Sequence, residues 1–247
     1  MNEDIRIVAH KAQTAVTGEW DLIAPERDAQ VAGNHDASFT RVLEPWVLDR
    51  TRGARNIIDV GCGTGRLTSK LHLRAETVVG IDPSSVSIDI AQSHDDGTRY
   101  AVASAEQWAA QHPDAEIDLV VANMVLMDAL HLDSFIAAIA RIARKGRILA
   151  TMTHPTFWPI YWGYATNPGF DYLTEAVIEA PFKTSSHEFG LIATHVHRPL
   201  STYLQAFRTN GLKVTHLQEL RGPEPRVTFP FPRFIGIEVR RRIVRRA

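Results

Sequence analysis

Two carboxylates and three glycines between residues 59 and 82 have the clearest chemistry in this chain. The run Ile57-Ile58-Asp59-Val60-Gly61-Cys62-Gly63-Thr64-Gly65-Arg66 reads as an apolar strand that ends in Asp59 and opens into glycines ahead of a helix. Glycines let the backbone turn sharply and approach a ligand with no side chain between, so Gly61, Gly63 and Gly65 can lie against a flat adenosine or an amino acid tail. The helix beyond them offers unpaired backbone N–H groups and a positive dipole end. Asp82 closes the next apolar strand about 20 residues on, where an acidic side chain accepts hydrogen bonds from a ribose diol. The two features together imply a ribose-bearing ligand. A dinucleotide site spaces its glycines as G-x-G-x-x-G. Here Arg66 takes the sixth position and the third glycine comes one residue early, which argues against a nicotinamide-dependent oxidoreductase.

The elements that must hold these residues follow from alternating patterns. Asn56 to Val60, Thr77 to Ile81, Tyr100 to Ala103, Ile117 to Ala122 and Gly146 to Met152 read as strands. Helical stretches lie between them, the last with Phe135, Ile136, Ile139 and Ile142 at helical spacing, so the pattern predicts a doubly wound parallel sheet. A helix near Leu200 to Asn210 and a final pair of strands, near Leu212 to Leu220 and Phe234 to Val239, predict an antiparallel edge. Residues 36 to 52 read as helical and the first 35 as irregular. From His154 to His197 the chain is crowded with aromatic residues and has little period, which reads as an inserted cover over the carboxyl edge of the sheet. The expectation is one Rossmann-like α/β domain over residues 1–247. Its parts are an N-terminal helical lid (1–52), a cofactor-binding core (53–153), a substrate cover (154–198) and a C-terminal helix with the strand pair (199–247).

The ordered strings Asp59-Val-Gly-Cys-Gly-Thr-Gly, Val79-Gly-Ile-Asp82-Pro-Ser, Ser104-Ala-Glu106 and Asp118-Leu-Val-Val-Ala-Asn123-Met-Val-Leu126 resemble the motif set of class I S-adenosylmethionine-dependent methyltransferases. His197-Arg-Pro-Leu-Ser and the strands after it resemble bacterial small-molecule members. The resemblance implies S-adenosyl-L-methionine as cofactor. It implies that Asp59 holds the methionine amino group, with Gly61, Cys62, Gly63 and Gly65 in the loop around that moiety. Asp82 would take the ribose hydroxyls, with Pro83 beside the adenine. Ser104, Ala105 and Glu106 match the segment near the adenine amino group, although families often carry Asp where this chain has Ser104. Asn123, Met124 and Val125 fall where the sulfonium and its methyl lie. Trp20 resembles N-terminal residues that fold over the cofactor.

An alcohol or phenol acceptor benefits from a base with a pKa near neutrality, and histidine suits that role. His154, His197 and His195 are the candidates, with His154 first because it directly follows the fifth strand. The fourth strand ends in Asn123-Met-Val-Leu, not the Asn-Pro-Pro-Tyr type, which disfavours amide and adenine N-methylation. Cytosine C5 chemistry needs a cysteine nucleophile, and Cys62 belongs to the glycine loop. No carboxylate cluster beyond Asp82 suggests a metal site. An oxygen of a small apolar or aromatic molecule is the expected acceptor, with carbon as the alternative atom. A cyclase or decarboxylase that keeps the cofactor but transfers no methyl group also fits these residues. A non-catalytic subunit does not, because its glycine loop would have decayed.

Composition limits the partners. The chain has 27 basic and 28 acidic residues, so no global field attracts nucleic acid or an anionic membrane. The basic tail Arg240, Arg241, Arg242, Arg245 and Arg246 reads as a solvated terminal face. A lone cysteine excludes an internal disulfide and fits a cytoplasmic protein. No apolar run is long enough to span a bilayer, and the first residues carry no apolar leader segment. The oligomeric state is not legible.

Overall fold

The computed structural model describes residues 4–94, 96–184 and 187–242; Arg245 and Arg246 of the basic tail lie outside them. The elements in chain order are β1 (Arg6–Val8), α1 (Gln13–Ala32), a π-helical turn (Phe39–Leu43), α2 (Glu44–Asp49), β2 (Asn56–Val60), α3 (Arg66–His72), β3 (Thr77–Asp82) and α4 (Ser85–Ser93). They continue with β4 (Arg99–Val102), α5 (Ala105–Gln111), β5 (Leu119–Asn123), α6 (Leu132–Ile142), β6 (Arg147–Thr153) and α7 (Trp158–Trp162). Last come β7 (Ala176–Lys183), β8 (Glu188–His197), α8 (Leu200–Thr209), β9 (Leu212–Arg221) and β10 (Pro232–Arg241).

Seven strands form one sheet in the order β4-β3-β2-β5-β6-β10-β9. β2 pairs in parallel with β3 and β5, and β5 with β6, whereas β10 runs antiparallel to both β6 and β9. This is the Rossmann-like, mostly parallel sheet with a reversed strand expected from the sequence. Helices cover both faces, so the central strands are apolar without alternation: Leu119, Val120, Val121 and Ala122 of β5 are all fully buried. α6 buries Phe135, Ile136, Ile139 and Ile142 on one face. On the other face Trp46 of α2 lies against Gly236 of β10, where a Cβ would meet the indole at 2.4 Å.

Two expectations change. Residues 13–32 form a 20-residue helix, not an irregular segment. Its buried face is narrow, with Val16, Ile23 and Ala24 at helical spacing, and Pro25 within it masks the pattern. The cover, read as aperiodic, contains a hairpin: β7 and β8 pair antiparallel and, with β1 on the outer side of β7, make a second, three-stranded sheet. Cover and lid therefore share a framework.

Candidate functional site

The parallel strands β2, β3 and β5 end on one edge of the sheet and deliver Asp59, Asp82 and Asn123 there. A cavity of about 560 Å³ lies over that edge. Its wall includes Asp59, Gly61, Cys62, Gly63, Asp82 and Pro83, and further along Ser104, Ala105, Glu106, Asn123, Met124 and Val125. α1 adds Trp20 from above. The structure thus brings together nearly all the residues expected around a cofactor. Gly65 is the exception: it turns the chain into α3 with a φ of 77° and does not line the cavity.

The loop geometry explains its glycines. Gly61 has a φ of 70° and passes so close to Val125 that a Cβ would stand 2.4 Å from that side chain. Gly63 has a φ of 53° with open space where a Cβ would be, which leaves its backbone accessible from the cavity. The Gly63 N–H donates to Asp82 Oδ2 at 2.9 Å and the Ser84 N–H to Asp82 Oδ1 at 2.8 Å. Burial still pushes the Asp82 carboxyl up to about 6, against those hydrogen bonds. Asp59 accepts from Thr68 Oγ1 at 2.7 Å through Oδ2, while its buried Oδ1 has no partner. Burial raises its pKa to about 7. The same cause pushes the Cys62 thiol up, so it is not a ready thiolate. Met124 has a φ of 60°, unusual for a residue other than glycine, and is held by its N–H to the Thr151 carbonyl at 2.9 Å.

α1 is tied across this edge at three places. Gln13 bonds the carbonyl of Asp128 and the N–H of Leu130. Ser84 Oγ donates to Asp21 at 2.6 Å, and Arg66 makes two hydrogen bonds of 2.7 Å to Asp28. Arg66, which replaces the last glycine of a dinucleotide loop, therefore anchors the lid helix.

His154 and His197, expected as bases, do not line the cavity. Both ring nitrogens of His154 are engaged: Nε2 with Glu219 of β9 at 2.9 Å, and Nδ1 accepting the Thr156 N–H at 3.2 Å. Strand-end position alone placed it at the ligand edge, but its ring turns toward the reversed strand pair. His197 Nε2 meets the Tyr172 carbonyl at 3.0 Å among aromatic rings. Burial lowers its pKa. His195 does line the cavity, 3.3 Å from the Tyr164 hydroxyl, and burial lowers its pKa to about 3, so it stays neutral.

Sequence reasoning missed Asp128. It follows β5 and lines the cavity, and its carboxylate is hydrogen-bonded by Trp20. Burial first, then the charges of Asp82 and Glu19, raise its pKa well above the carboxylate range. Its distance from Asn123, five residues along the motif, was the available signal. The far wall, also missed in detail, is built from Trp158, Trp162, Phe182 and Phe234 with Lys183 and Arg233. Among the described residues no group of three or more His, Cys, Asp or Glu is arranged to hold a metal ion. No helix among them is long and apolar enough to cross a membrane.

A seven-stranded sheet with its next-to-edge strand reversed, and a glycine loop between two carboxylates, defines the class I methyltransferase architecture. Residues 58–151, which carry the glycine loop and both strand-end carboxylates, match the family model described as a methyltransferase domain. Over 104 residues it is 36% identical to a mouse protein named mitochondrial ubiquinone biosynthesis O-methyltransferase, covering 39% of this chain and 28% of that one. Matches to such curated relatives span 28% to 60% of their length. Among solved structures, the DhpI–SAH complex superposes with a TM-score of 0.62 at 18% identity, over 96% of this chain and 100% of the other. The [4+2]-cyclase SpnF gives 0.65 at 16% identity, over 96% and 99%. At those identities the likeness is one of fold.

Proposed function

We propose that the protein is an S-adenosylmethionine-dependent methyltransferase that methylates an oxygen of a small apolar or aromatic acceptor. The observation that carries this reading is one continuous cavity whose wall runs from Asp59, Gly61 and Asp82 to the aromatic residues of the cover. The unpaired Oδ1 of Asp59 fits an ammonium group, which would restore the missing partner of a buried carboxylate. The second lone pairs of Asp82 suit the ribose hydroxyls, and the exposed backbone at Gly63 suits the flat body of the cofactor. When bound, S-adenosylmethionine supplies an electrophilic methyl group. The chain's own part is to position the acceptor in a water-poor cleft closed by α1 and the cover. Asp128, which lines the cavity, accepts the acceptor's hydroxyl proton in its ionised form; burial raises its pKa, which makes that carboxylate a stronger base and moves its working range to higher pH. The names of the curated relatives support oxygen as the methylated atom.

The test is calorimetric titration with S-adenosylhomocysteine and, in parallel, NADH and NADPH. Micromolar binding of the first alone is expected and leads to a radiolabelled methyl-transfer screen over phenols and alcohols. Binding of a nicotinamide, or of none of the three, would overturn the reading. Binding without transfer to any acceptor would favour chemistry in which the cofactor keeps its methyl group.

A further inference from the structure

We propose that the acceptor is a planar apolar molecule bearing a carboxylate, and that Lys183 and Arg233, resting on the Trp158–Trp162 platform, receive that group. This inference rests on reading the cavity as joined cofactor and acceptor sites. Both cations line the cavity, and Arg233 lies on β10, the third strand along the sheet edge from β2. The Arg233 guanidinium stands 3.9 Å from the Tyr161 ring centroid, 4.9 Å from that of Phe234 and 5.7 Å from that of Trp158. Lys183 Nζ stands 5.8 Å from the Trp162 ring, and the two indoles are 4.7 Å apart. The cations therefore share one cluster of tilted aromatic rings.

Their hydrogen bonding is incomplete. Arg233 is 2% exposed and bonds Glu224 at 2.7 Å through one terminal nitrogen, while its buried Nε has no partner. A buried donor without a partner is costly, and a carboxylate oxygen is its natural complement. Lys183 has no carboxylate within ion-pair distance among the described residues; its interaction is with the Trp162 face. The other charged groups here are already balanced. Arg27 pairs with Asp36 at 2.6 Å, and the same arginine reaches Gln30, which bonds Thr184 beside Lys183. His195, neutral at physiological pH, adds no charge. Three cations (Arg27, Lys183, Arg233) thus face two carboxylates (Asp36, Glu224), leaving one positive charge. A monoanion neutralises that surplus, whereas a phosphate dianion would leave a net negative charge against indole and phenyl faces. The apolar remainder of the wall selects a flat hydrocarbon body.

The probes are 2-naphthoate and its methyl ester, which share the ring system and differ in charge. Each is titrated into the full chain with S-adenosylhomocysteine present. The acid should bind about tenfold more tightly than the ester, as expected for a charge-assisted contact. In Lys183→Met, a partly exposed position, that preference should fall to twofold or less while the ester affinity stays the same. Arg233→Lys keeps the charge beside Glu224 but loses the fork, and should lower the preference without unfolding the chain. Equal affinities for acid and ester, no binding of either, or a full acid preference in Lys183→Met would each overturn the proposal. S-adenosylhomocysteine binding to the native chain is read in the same titrations. Its absence would sink the cofactor reading, whereas cofactor binding with no acid preference sinks this inference alone.

Discussion

In the free protein Asp59 holds its proton up to about pH 7, because burial opposes its charge and Thr68 alone offers it a hydrogen bond. An unfolded chain would release that proton near the ordinary carboxylate value. Between about pH 4 and 7 the folded state therefore binds more protons than the unfolded one, and stability falls as pH rises. Asp82, raised to about 6, acts in the same direction. A cationic amino group needs Asp59 ionised, so affinity for S-adenosylhomocysteine should rise about tenfold from pH 6 to pH 8 and then level off. Titration calorimetry at stepped pH checks this: the rise should vanish in Asp59→Asn, and a flat native profile would remove Asp59 from the amino-group site. For Asp128→Asn, turnover should drop about 100-fold with little change in cofactor affinity. An asparagine variant with native turnover would show that the acceptor's proton leaves by another route. The placement of Asp59 and Asp82 at the cavity was legible in the sequence because it follows from strand ends and local spacing. Asp128 was not, because its environment is made by Trp20, brought over by a helix far away in sequence. His154 was misread for the complementary reason: its strand end is correct, but a tertiary partner, Glu219, turns the ring away.

At the scale of elements, α1 is the part with a discrete task. Its apolar face is narrow, so polar ties do much of the holding: Gln13 to the segment after β5, Asp21 to Ser84, and Asp28 to Arg66. The Asp28–Arg66 pair is partly exposed, so its loss should cost no more than about 1 kcal/mol. Asp28→Ala is accordingly expected to weaken S-adenosylhomocysteine binding by about threefold and to speed amide exchange across residues 13–32, with the sheet unaffected. If exchange in α1 stays at the native rate, the apolar face alone seats the helix. The five strands and four crossovers of the core were readable because each buries a continuous apolar run or a regular helical face. The lid helix and the β7–β8 hairpin were hidden, since both are completed by contacts with one another and not by their own pattern: Trp20 meets Phe182 edge-on at 5.3 Å.

Across the whole molecule, one side chain joins the cover to the core. Arg198, just after β8, is 1% exposed and donates to the carbonyls of Ala129 and Leu130 at 2.9 and 3.0 Å. Its Nε bonds Glu175, just ahead of β7, at 2.7 Å. The same arginine thus fixes both ends of the cover hairpin and the segment that carries Asp128. Lysine keeps the charge but cannot reach three acceptors from a planar fork, so Arg198→Lys leaves buried carbonyls without donors. The expected loss is about 2 to 4 kcal/mol, measured by urea denaturation. Hydrogen exchange separates the two ways in which that loss can arise. If Arg198 couples the layers, β7 and β8 should exchange faster than β2 to β6 in the variant, and turnover should fall because Asp128 is no longer held. Uniform acceleration through both sheets would instead mean that the arginine supports the core as a whole and that the cover is seated by its pairing with β1.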